Sequence, residues 1–355
     1  MTRDELEALA RQCGFHEVRF AAVRPTPRAE ALDRWLMRGR CADMGWIARG
    51  RDVRADPRVR APWARTAVAL GVAHHHRPPP DPGGRTGRVA RYAWGRDYHN
   101  LVGKRLRRLR DHLGQHGVRA WGGVDTAPIL ERAWAEAAGL GFTGKNTVQI
   151  LAGRTSWLFL GVLFVDVEVA PDRPSGDHCK TCTRCLSACP TGAFVGPREL
   201  DAGACISYWT IEARGLPPPE LRERFGRWVF GCDDCQEVCP HNHGPDDPDE
   251  DDLRPHHAWL DLDWVVAAPD AALLDGFTGT PLRRPGAAGL KRNALLALGN
   301  LGDDRALDGI TRHATTHPAA VVRAAAAWAT GRLGGALPPT DPDPAVRAEI
   351  ARWRE

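Results

Sequence analysis

Cysteine spacing constrains this chain more than any other feature of its sequence. A first run, with the pattern C-x2-C-x2-C-x3-C-P, consists of Cys179, Cys182, Cys185 and Cys189. Cys205 stands alone, and a second run, C-x2-C-x3-C-P, consists of Cys232, Cys235 and Cys239. The first pattern is that of bacterial ferredoxins, in which three closely spaced thiolates bind one [4Fe–4S] cluster and the fourth binds another. Eight cysteines in this arrangement predict two [4Fe–4S] clusters.

Each predicted cluster takes ligands from both runs, because the fourth cysteine of a run crosses over. One set is Cys179, Cys182, Cys185 and Cys239, and the other is Cys189, Cys205, Cys232 and Cys235. Two structural zinc sites are the alternative, since C-x2-C pairs also bind zinc. Three cysteines at consecutive two-residue gaps favour iron–sulfur over zinc. Disulfides are disfavoured because the charged first ten residues do not resemble a signal peptide.

Length and composition predict a soluble, cytoplasmic protein of two or three domains. The chain has 355 residues, of which 43% are hydrophobic and 26% charged, and no apolar run reaches membrane-spanning length. Arginine accounts for nearly all of its 48 basic residues. Genomic codon bias explains this as well as function does, but the planar guanidinium suits phosphate, so a nucleic-acid partner stays open.

Helices and strands alternate in the predicted N-terminal part. A capping box of Thr2 and Glu5 starts a helix over 3–13. A second helix, over 27–39, is expected to bury Ala31, Leu32, Trp35 and Leu36. Apolar runs predict strands at 67–73, 118–121, 147–151 and 157–165, the last at the centre of a sheet. This order predicts an α+β fold with an α/β-type sheet domain over 1–170, followed by a ferredoxin-like domain over 171–245.

The C-terminal part is rich in alanine and repeats itself. Segments 290–302 and 321–334 both end in Gly-x-Leu-Gly, and 343–348 begins a third copy. They predict a HEAT-like helical domain over 246–355 that acts as a binding surface. The basic residues expected to line one face are Arg283, Arg284, Lys291, Arg292, Arg312, Arg323 and Arg332. The acidic segment 244–252 is predicted to be a solvated linker.

Three other segments carry candidate functional side chains. Asp125 lies between a predicted strand and a helix expected to start at Pro128, where either a functional carboxylate or a helix N-cap fits. Five basic residues between Lys104 and Arg110 share one helix and suit either RNA contact or a solvated face. The three histidines 74–76 end a strand; neighbouring strand residues point to opposite faces, so a polar strand end is favoured over a metal site.

Together these motifs resemble the epoxyqueuosine reductase family. The resemblance rests on the VDTAP segment around Asp125, the continuation L-x-R-x-x-A-x-x-x-G-L-G-x-x-G-K-N, the segments CPTGA and GCDDCQEVCP, and the HEAT-like C-terminal part. It implies a cobalamin-dependent oxidoreductase, related to reductive dehalogenases, that reduces the epoxide of epoxyqueuosine in a tRNA anticodon loop to queuosine. It also implies an external low-potential electron donor, no membrane partner and a monomer.

The resemblance assigns roles to individual residues. Asp125 takes the proton-donor position, and the eight cysteines take the cluster ligands. The expected contacts of cobalamin, as cob(II)alamin, are Arg91, Tyr98, Asp125, Arg132, Lys145, Asn146, Gln149, Ser207 and Asp233. Because a free aspartate has a pKa of about 3.9, donation near pH 7 would require a buried pocket that raises the pKa of Asp125 by about three units.

The sequence argues against a histidine-ligated corrinoid. The motif D-x-H-x-x-G is missing, since the glycine after Asp97 and His99 comes one residue late, at Gly103. Two other classes of function stay open. One is a corrinoid reductase of a small molecule such as an organohalide, and the other is a non-enzymatic iron–sulfur electron carrier.

Overall fold

The computed structural model describes residues 1–26, 28–242 and 250–354. Its strands are β1 (Glu17–Ala22), β2 (Thr66–Ala73), β3 (Thr86–Val89), β4 (Ala120–Gly123), β5 (Phe142–Thr143), β6 (Gln149–Ile150), β7 (Leu158–Val165), β8 (Phe194–Gly196), β9 (Glu199–Leu200), β10 (Trp228–Phe230) and β11 (Trp259–Asp261). Its α-helices are α1 (Arg3–Gln12), α2 (Ala29–Met37), α3 (Arg51–Ala55), α4 (Tyr98–Gln115), α5 (Glu131–Ala137), α6 (Arg184–Ala188), α7 (Ile206–Ile211), α8 (Pro219–Arg222), α9 (Asp234–Glu237), α10 (Leu262–Ala267), α11 (Asp270–Gly276), α12 (Gly286–Leu301), α13 (Leu307–Thr316), α14 (Ala320–Arg332) and α15 (Pro344–Arg352). The fold therefore mixes helices and strands, as predicted.

A four-stranded antiparallel sheet, in the order β1-β2-β7-β4, forms the first core. The apolar run that becomes β7 pairs with β2 on one side and β4 on the other, so its predicted central place is confirmed. Along β2, Val68 and Leu70 contribute to one core, and Ala67 and Ala69 to another. This alternation with period two means that both faces of the sheet are buried.

Different helices cover the two faces of this sheet. Leu6 of α1 and Leu106 of α4 pack in the core with Val68 and Leu70. On the opposite face, the fully buried Trp134 of α5 packs beside Phe164, with ring centroids 5.1 Å apart. The small side chains of β2 on that face leave room for the indole ring.

The predicted N-terminal helices are found, with one difference in their packing. In the capping box of α1, Thr2 Oγ1 accepts the Glu5 N–H at 3.3 Å, and Thr2 N–H donates to Glu5 Oε2 at 2.7 Å. The predicted start of the second helix, Pro27, lies outside the described residues. Helix α2 has no buried residue, so the prediction that its apolar face is buried was wrong. Leu32 and Trp35 instead line an open cavity.

A smaller sheet joins parts of the chain that are far apart in sequence. Its order is β10-β3-β11, so it takes one strand from each of the three predicted domains, whose boundaries stay a prediction. Asn293 of α12 strengthens this connection, because its Nδ2 donates to the carbonyls of Thr210 and Val229, both at 2.8 Å. The cysteine region and the C-terminal helices therefore share a core around β10.

In the C-terminal part, tryptophans of later helices pack against glycines of earlier ones. A Cβ atom added at Gly299 of α12 would lie 2.6 Å from the Trp328 ring of α14. A Cβ atom added at Gly331 of α14 would lie 2.4 Å from Trp353, which follows α15. Both glycines belong to the Gly-x-Leu-Gly endings, and they are needed because nothing larger allows this close approach.

The predicted basic face of the C-terminal helices is not formed as expected. Arg292 is fully buried and donates to the carbonyls of Ala213 and Gly215 at 2.8 and 2.7 Å. Lys291 is buried against Asp270, with Nζ and Oδ1 2.9 Å apart. These cations are structural, because a buried charge needs a partner. Arg323 is likewise held by Asp341 at 2.7 Å.

Most of the predicted acidic linker lies outside the described residues, at 243–249. Glu250, the first described residue after it, forms an ion pair with Arg105 of α4, and both side chains are largely buried. This carboxylate is therefore not solvated as predicted. Among the described residues, no helix combines the length and the apolar character needed to cross a membrane.

Candidate active site and cluster-binding region

Asp125 lies in a turn that follows β4. Its φ is 55°, a left-handed conformation that is unusual for a residue other than glycine and that is concentrated at functional sites. Its N–H donates to Glu131 Oε1 at 2.8 Å. Helix α5 starts at Glu131 rather than at the predicted Pro128, and its N-cap residue is Leu130. The alternative that Asp125 is a helix N-cap is therefore wrong.

The Asp125 carboxylate forms a hydrogen-bonded chain with two residues at the start of α4. Asp97 caps this helix by accepting the His99 N–H at 2.9 Å, and its Oδ1 also lies 2.7 Å from His99 Nδ1. The other ring nitrogen, His99 Nε2, lies 2.8 Å from Asp125 Oδ2. An imidazolium satisfies both contacts as a donor.

Electrostatics place the proton of this chain on the histidine at neutral pH. Burial alone would lower the pKa of His99. The hydrogen bonds that His99 donates to the Asp125 and Asp97 carboxylates outweigh this effect and raise the pKa of His99 to about 9. The hydrogen bond from His99 lowers the pKa of Asp125. The Asp125 side chain is also 57% exposed, so the raised pKa that Asp125 would require to hold its own proton near pH 7 is not found here.

An aromatic stack supports the histidine. The Tyr98 ring lies 4.4 Å from Phe159 of β7, nearly parallel to it, and 4.1 Å from the His99 ring. His74 stacks on Phe159 at 4.1 Å, and burial lowers the pKa of His74 to about 3. This neutral histidine packs as an aromatic ring, in agreement with the preference for a polar strand end over a metal site.

A cavity of about 550 Å³ opens beside Asp125. It lies among α2, α5 and the hairpin of β8 and β9. Its lining combines the apolar face of α2 with charged side chains, namely Arg28, Arg34, Arg38, Arg54, Asp125, Glu131, Arg132, Arg198 and Glu199. Burial raises the pKa of Glu131 to about 7, so this carboxyl is partly protonated at neutral pH. The cavity can thus hold a large, partly apolar molecule beside the carboxyl groups of Asp125 and Glu131.

The residues expected to contact cobalamin fall into two groups. Asp125 and Arg132 line the cavity, and Arg132 donates to the Thr147 carbonyl. Lys145 and Asn146 lie behind it and tie it to the cysteine region. Lys145 Nζ donates to the Lys180 carbonyl at 2.7 Å, and Asn146 Nδ2 donates to the Cys235 carbonyl at 3.2 Å. Gln149 is buried and donates to the Leu140 carbonyl at 2.5 Å, while its Oε1 has no partner among the described residues.

Arg91 and Asp233 form part of the contact between the first sheet and the cysteine region, and Ser207 lies within the cysteine region. The Arg91 N–H donates to Asp233 Oδ2 at 2.7 Å, and its guanidinium lies 4.8 Å from the Trp157 ring. Burial raises the pKa of Asp233 to about 7. Ser207, half-buried on α7, accepts from Thr210 Oγ1 through its carbonyl at 3.3 Å. The described lining of the cavity includes none of these three residues.

Within each predicted set of cysteines, burial and neighbouring thiolates raise the pKa of a member. Burial and then the negative charges of Cys179, Cys239 and Cys182 raise the pKa of the Cys185 thiol. In the other set, burial raises the pKa of Cys235, and Cys205 and Cys189 add to the effect. Cys185 also acts on Cys235, so the two sets adjoin. The assignment of ligands to clusters stays a prediction.

Sequence reasoning missed three residues of this site. Asp97 and His99 were noted in an incomplete corrinoid motif and in a segment, 91–99, whose aromatic and polar side chains could clamp a large flat ligand. Neither they nor Glu131 were assigned a role in proton transfer. The density of polar and aromatic residues just before α4 was the available signal. The pairing of His99 with Asp125 is a tertiary contact that no local pattern shows.

Comparison with known proteins agrees with these features. A family model described as "4Fe-4S double cluster binding domain" matches residues 178–242. A second, described as "Epoxyqueuosine reductase QueG, DUF1730", matches residues 54–126. The first match confirms the predicted pair of [4Fe–4S] clusters over the zinc alternative. The second match ends just after Asp125.

Relatives cover almost the whole chain. Epoxyqueuosine reductase of Xanthomonas campestris pv. campestris is 36% identical over 343 residues, which are 93% of this chain and 95% of the relative. A crystal structure of epoxyqueuosine reductase with a tRNA-Tyr epoxyqueuosine-modified stem loop has a TM-score of 0.91 at 30% identity and covers 99% of this chain and 97% of that chain. The Bacillus subtilis enzyme, solved with its aspartate catalytic loop swung out of the active site, has a TM-score of 0.89 at 29% identity, with 99% and 97% covered. The chain therefore belongs to the epoxyqueuosine reductase family of oxidoreductases, as its motifs predicted.

Proposed function

We propose that this protein reduces the epoxide of epoxyqueuosine in a tRNA anticodon loop to queuosine, with two [4Fe–4S] clusters and cobalamin as cofactors. The observation that carries the proposal is the hydrogen-bonded chain of Asp97, His99 and Asp125 at a cavity whose rear wall is tied to both cysteine runs. The names of the relatives and the tRNA stem loop bound to one of them support the substrate.

The cysteine sets fit iron–sulfur clusters by their chemistry. Burial, and then the negative charges of the other thiolates of its set, raise the pKa of Cys185. Iron bound to the sulfurs would offset these effects, because metal ligation favours the deprotonated form. Set one would hold its cluster with Cys179, Cys182, Cys185 and Cys239, and set two with Cys189, Cys205, Cys232 and Cys235.

The cavity fits a large amphiphilic cofactor such as cobalamin. The unburied apolar residues Ala31, Leu32 and Trp35 line one side of it, and Arg132 lines another. Asp125 and Arg132 would border cobalamin directly, with Lys145, Asn146 and Gln149 behind them. When bound, cobalamin supplies the low-potential metal chemistry that breaks the C–O bond. Both ring nitrogens of His99 are already engaged by carboxylates, which supports a cofactor without a histidine ligand from this residue.

Proton supply follows from the residues of the chain itself. Conversion of the epoxide to an alkene and water consumes two electrons and two protons. His99 holds one proton at neutral pH and shares it with Asp125, which faces the cavity and delivers it to the leaving oxygen. Glu131 lines the same cavity with a pKa of about 7 and supplies the second proton. Asp125 is thus a proton relay that receives its proton from His99, rather than an acid that holds its own proton.

The Asp125 turn is held in place at two points. Its N–H is bound by Glu131, and its carboxylate by His99. In the Bacillus subtilis relative the corresponding catalytic loop was found swung out. We infer that the same turn moves in this protein, and that formation of these two hydrogen bonds brings the proton relay into position.

Helix α4 offers a surface for the tRNA backbone. Its exposed cations are Lys104, Arg107, Arg108 and Arg110, and none of them pairs with a carboxylate among the described residues. Arg105 is instead occupied by Glu250. Unpaired cations on one helix suit phosphate contacts. The HEAT-like C-terminal helices contribute the exposed Arg283, Arg284 and Arg312. The protein is further proposed to act as a monomer in the cytoplasm and to receive its electrons from an external low-potential donor.

The test is direct. Anaerobically reconstituted protein is incubated with a reductant and tRNA bearing epoxyqueuosine, with and without cobalamin. The nucleosides are then separated by chromatography and identified by mass spectrometry. Queuosine is expected only with cobalamin present. Unchanged epoxyqueuosine in the presence of both intact clusters and bound cobalamin would overturn the proposal.

A further inference from the structure

One thiol of the first cysteine set lies at the molecular surface. Cys182 lines an open depression whose other members are Thr181, Thr183, Arg184, Ser187, Ala188, Val238 and Pro240. Cys179 and Cys185 are half-buried like Cys182, but the lining of this depression includes neither of them. Cys239 is buried beside Phe142 and Ile150. Cys182 is therefore an accessible corner of the first set.

In the second cysteine set, two thiols pack against aromatic side chains. Cys232 packs with Phe225 and Trp228, and Cys205 packs beside Tyr208. The backbone around Cys235 is bound by Asn146, which lies behind the cavity. Because Cys182 is the thiol that lines the open depression, the first set is where an electron from outside would enter.

The rim of the depression is positively charged. Lys180 and Arg184 are exposed on either side of Cys182. Asp177 is the one carboxylate in the sequence from 177 to 190, and it is neutralised by Arg198 at 2.8 Å. Lys145 adds a further cation, because its Nζ is bound to the Lys180 carbonyl. Nearly all other basic residues of the chain are arginines, so two neighbouring lysines here are not a product of its general arginine content.

We propose that this depression and its rim, from Lys180 to Ser187 with Val238 and Pro240, are the docking surface for a small acidic one-electron carrier protein. We name it the Cys182 surface. The inference rests on the proposed function, because it supplies the electrons for that reaction. A small apolar floor with a charged rim suits the brief, weak encounters of redox partners, and the positive rim steers an acidic partner toward the exposed thiol.

Two docking events supply the two electrons that one turnover requires. In each, the reduced carrier loses one electron and a [4Fe–4S]²⁺ cluster becomes [4Fe–4S]⁺. Two such events load the two electrons that, with two protons, convert one epoxide into an alkene and one water. The carrier must therefore leave and be replaced once in each turnover, which a weak, charge-steered contact allows.

The experiment measures cluster reduction rather than product. Reconstituted protein is mixed in a stopped-flow instrument with an acidic flavodoxin in its hydroquinone form, and the appearance of the flavin semiquinone is followed. The double variant Lys180→Glu/Arg184→Glu should slow this reaction at least about tenfold at low ionic strength, and Lys180→Ala/Arg184→Ala by a smaller factor. Raising the salt concentration should slow the wild type, have little effect on Lys180→Ala/Arg184→Ala, and speed the charge-reversed variant, because salt screens its repulsion of the acidic partner.

Two controls separate docking from damage. The charge-matched variant Arg60→Glu/Arg65→Glu changes two exposed arginines on the connection between α3 and β2 and should keep the wild-type rate. The methyl viologen radical, a small cation, should reduce the clusters of Lys180→Glu/Arg184→Glu at least as fast as those of the wild type. A flavodoxin rate within twofold of wild type in that variant would overturn the inference. If viologen-reduced wild type made no queuosine, the proposed function would fail while the docking result stood.

Discussion

His99 Nε2 lies 2.8 Å from Asp125 Oδ2, and this contact joins the start of α4 to the turn after β4. The contact changes the role expected for the aspartate, because it lowers the pKa of Asp125 and contributes to raising that of His99. Mutations around it should therefore alter the pH dependence of the reaction, not only its rate.

Asp97→Asn should shift the pH profile of epoxide reduction. Protonated Glu131 and protonated His99 are both needed, so the wild-type rate should fall in two steps as the pH rises, through about 7 for Glu131 and through about 9 for His99. Without the Asp97 charge, the pKa of His99 moves toward its ordinary value of about 6.5, and the second step should move to lower pH. Single-turnover rates between pH 6 and 10 test this. Asp166→Asn, which removes the partner of the exposed Arg119, serves as the matched control. An alkaline limb that stays near pH 9 in Asp97→Asn would contradict the relay.

Glu131→Gln should reduce the single-turnover rate by about 10²-fold, at the lower end of the range for loss of a general acid. The amide oxygen can still accept the Asp125 N–H, so the turn keeps its position while the second proton source is lost. Glu131→Ala also removes that anchor and should slow the reaction further than Glu131→Gln in the same single-turnover assay. Wild-type turnover by Glu131→Gln would exclude Glu131 as the second acid.

Charge reversal on α4 should weaken tRNA binding. Lys104→Glu/Arg108→Glu is expected to raise the Kd for the stem loop at least about tenfold at low salt and to flatten its salt dependence, because fewer counterions are released. Binding is measured by fluorescence anisotropy of a labelled stem loop, and the pair Arg60→Glu/Arg65→Glu again provides the charge-matched comparison. Equal salt slopes for the wild type and the α4 variant would place the RNA contact elsewhere.

Gly331→Ala should destabilise the C-terminal helices by about 1–3 kcal/mol, because the new methyl group overlaps the Trp353 ring. Gly309→Ala on α13 provides the opposite case. A Cβ atom there meets nothing within 4 Å, so the better helix propensity of alanine should stabilise the protein by up to about 1 kcal/mol. Chemical denaturation of both variants gives the difference. Similar effects of the two substitutions would mean that the glycine–tryptophan contact carries no stability.

The elements that sequence predicted well are those with local causes. The α1 capping box and the β7 apolar run each lie within a few residues, and both are found as expected. The start of α5 was misplaced because the turn at 126–128 is fixed by Asp125 and its distant partner His99. Arg292 was wrongly assigned to a surface. It is buried because carbonyls from another part of the chain replace its hydration, and the local sequence does not show them. Contacts between distant segments of the chain therefore account for both errors, the start of α5 and the position of Arg292.

The three-stranded sheet also bears on how the protein is made. Strand β3 leaves the ribosome long before β10, and β11 follows later still, so the sheet cannot close until most of the chain has been synthesised. The backbone that presents Cys232 and Cys235 directly follows β10 and gains its final support only then. Insertion of the second cluster should therefore be a late, post-translational event, and a nascent chain that stops before β11 should be a poor acceptor of iron and sulfide.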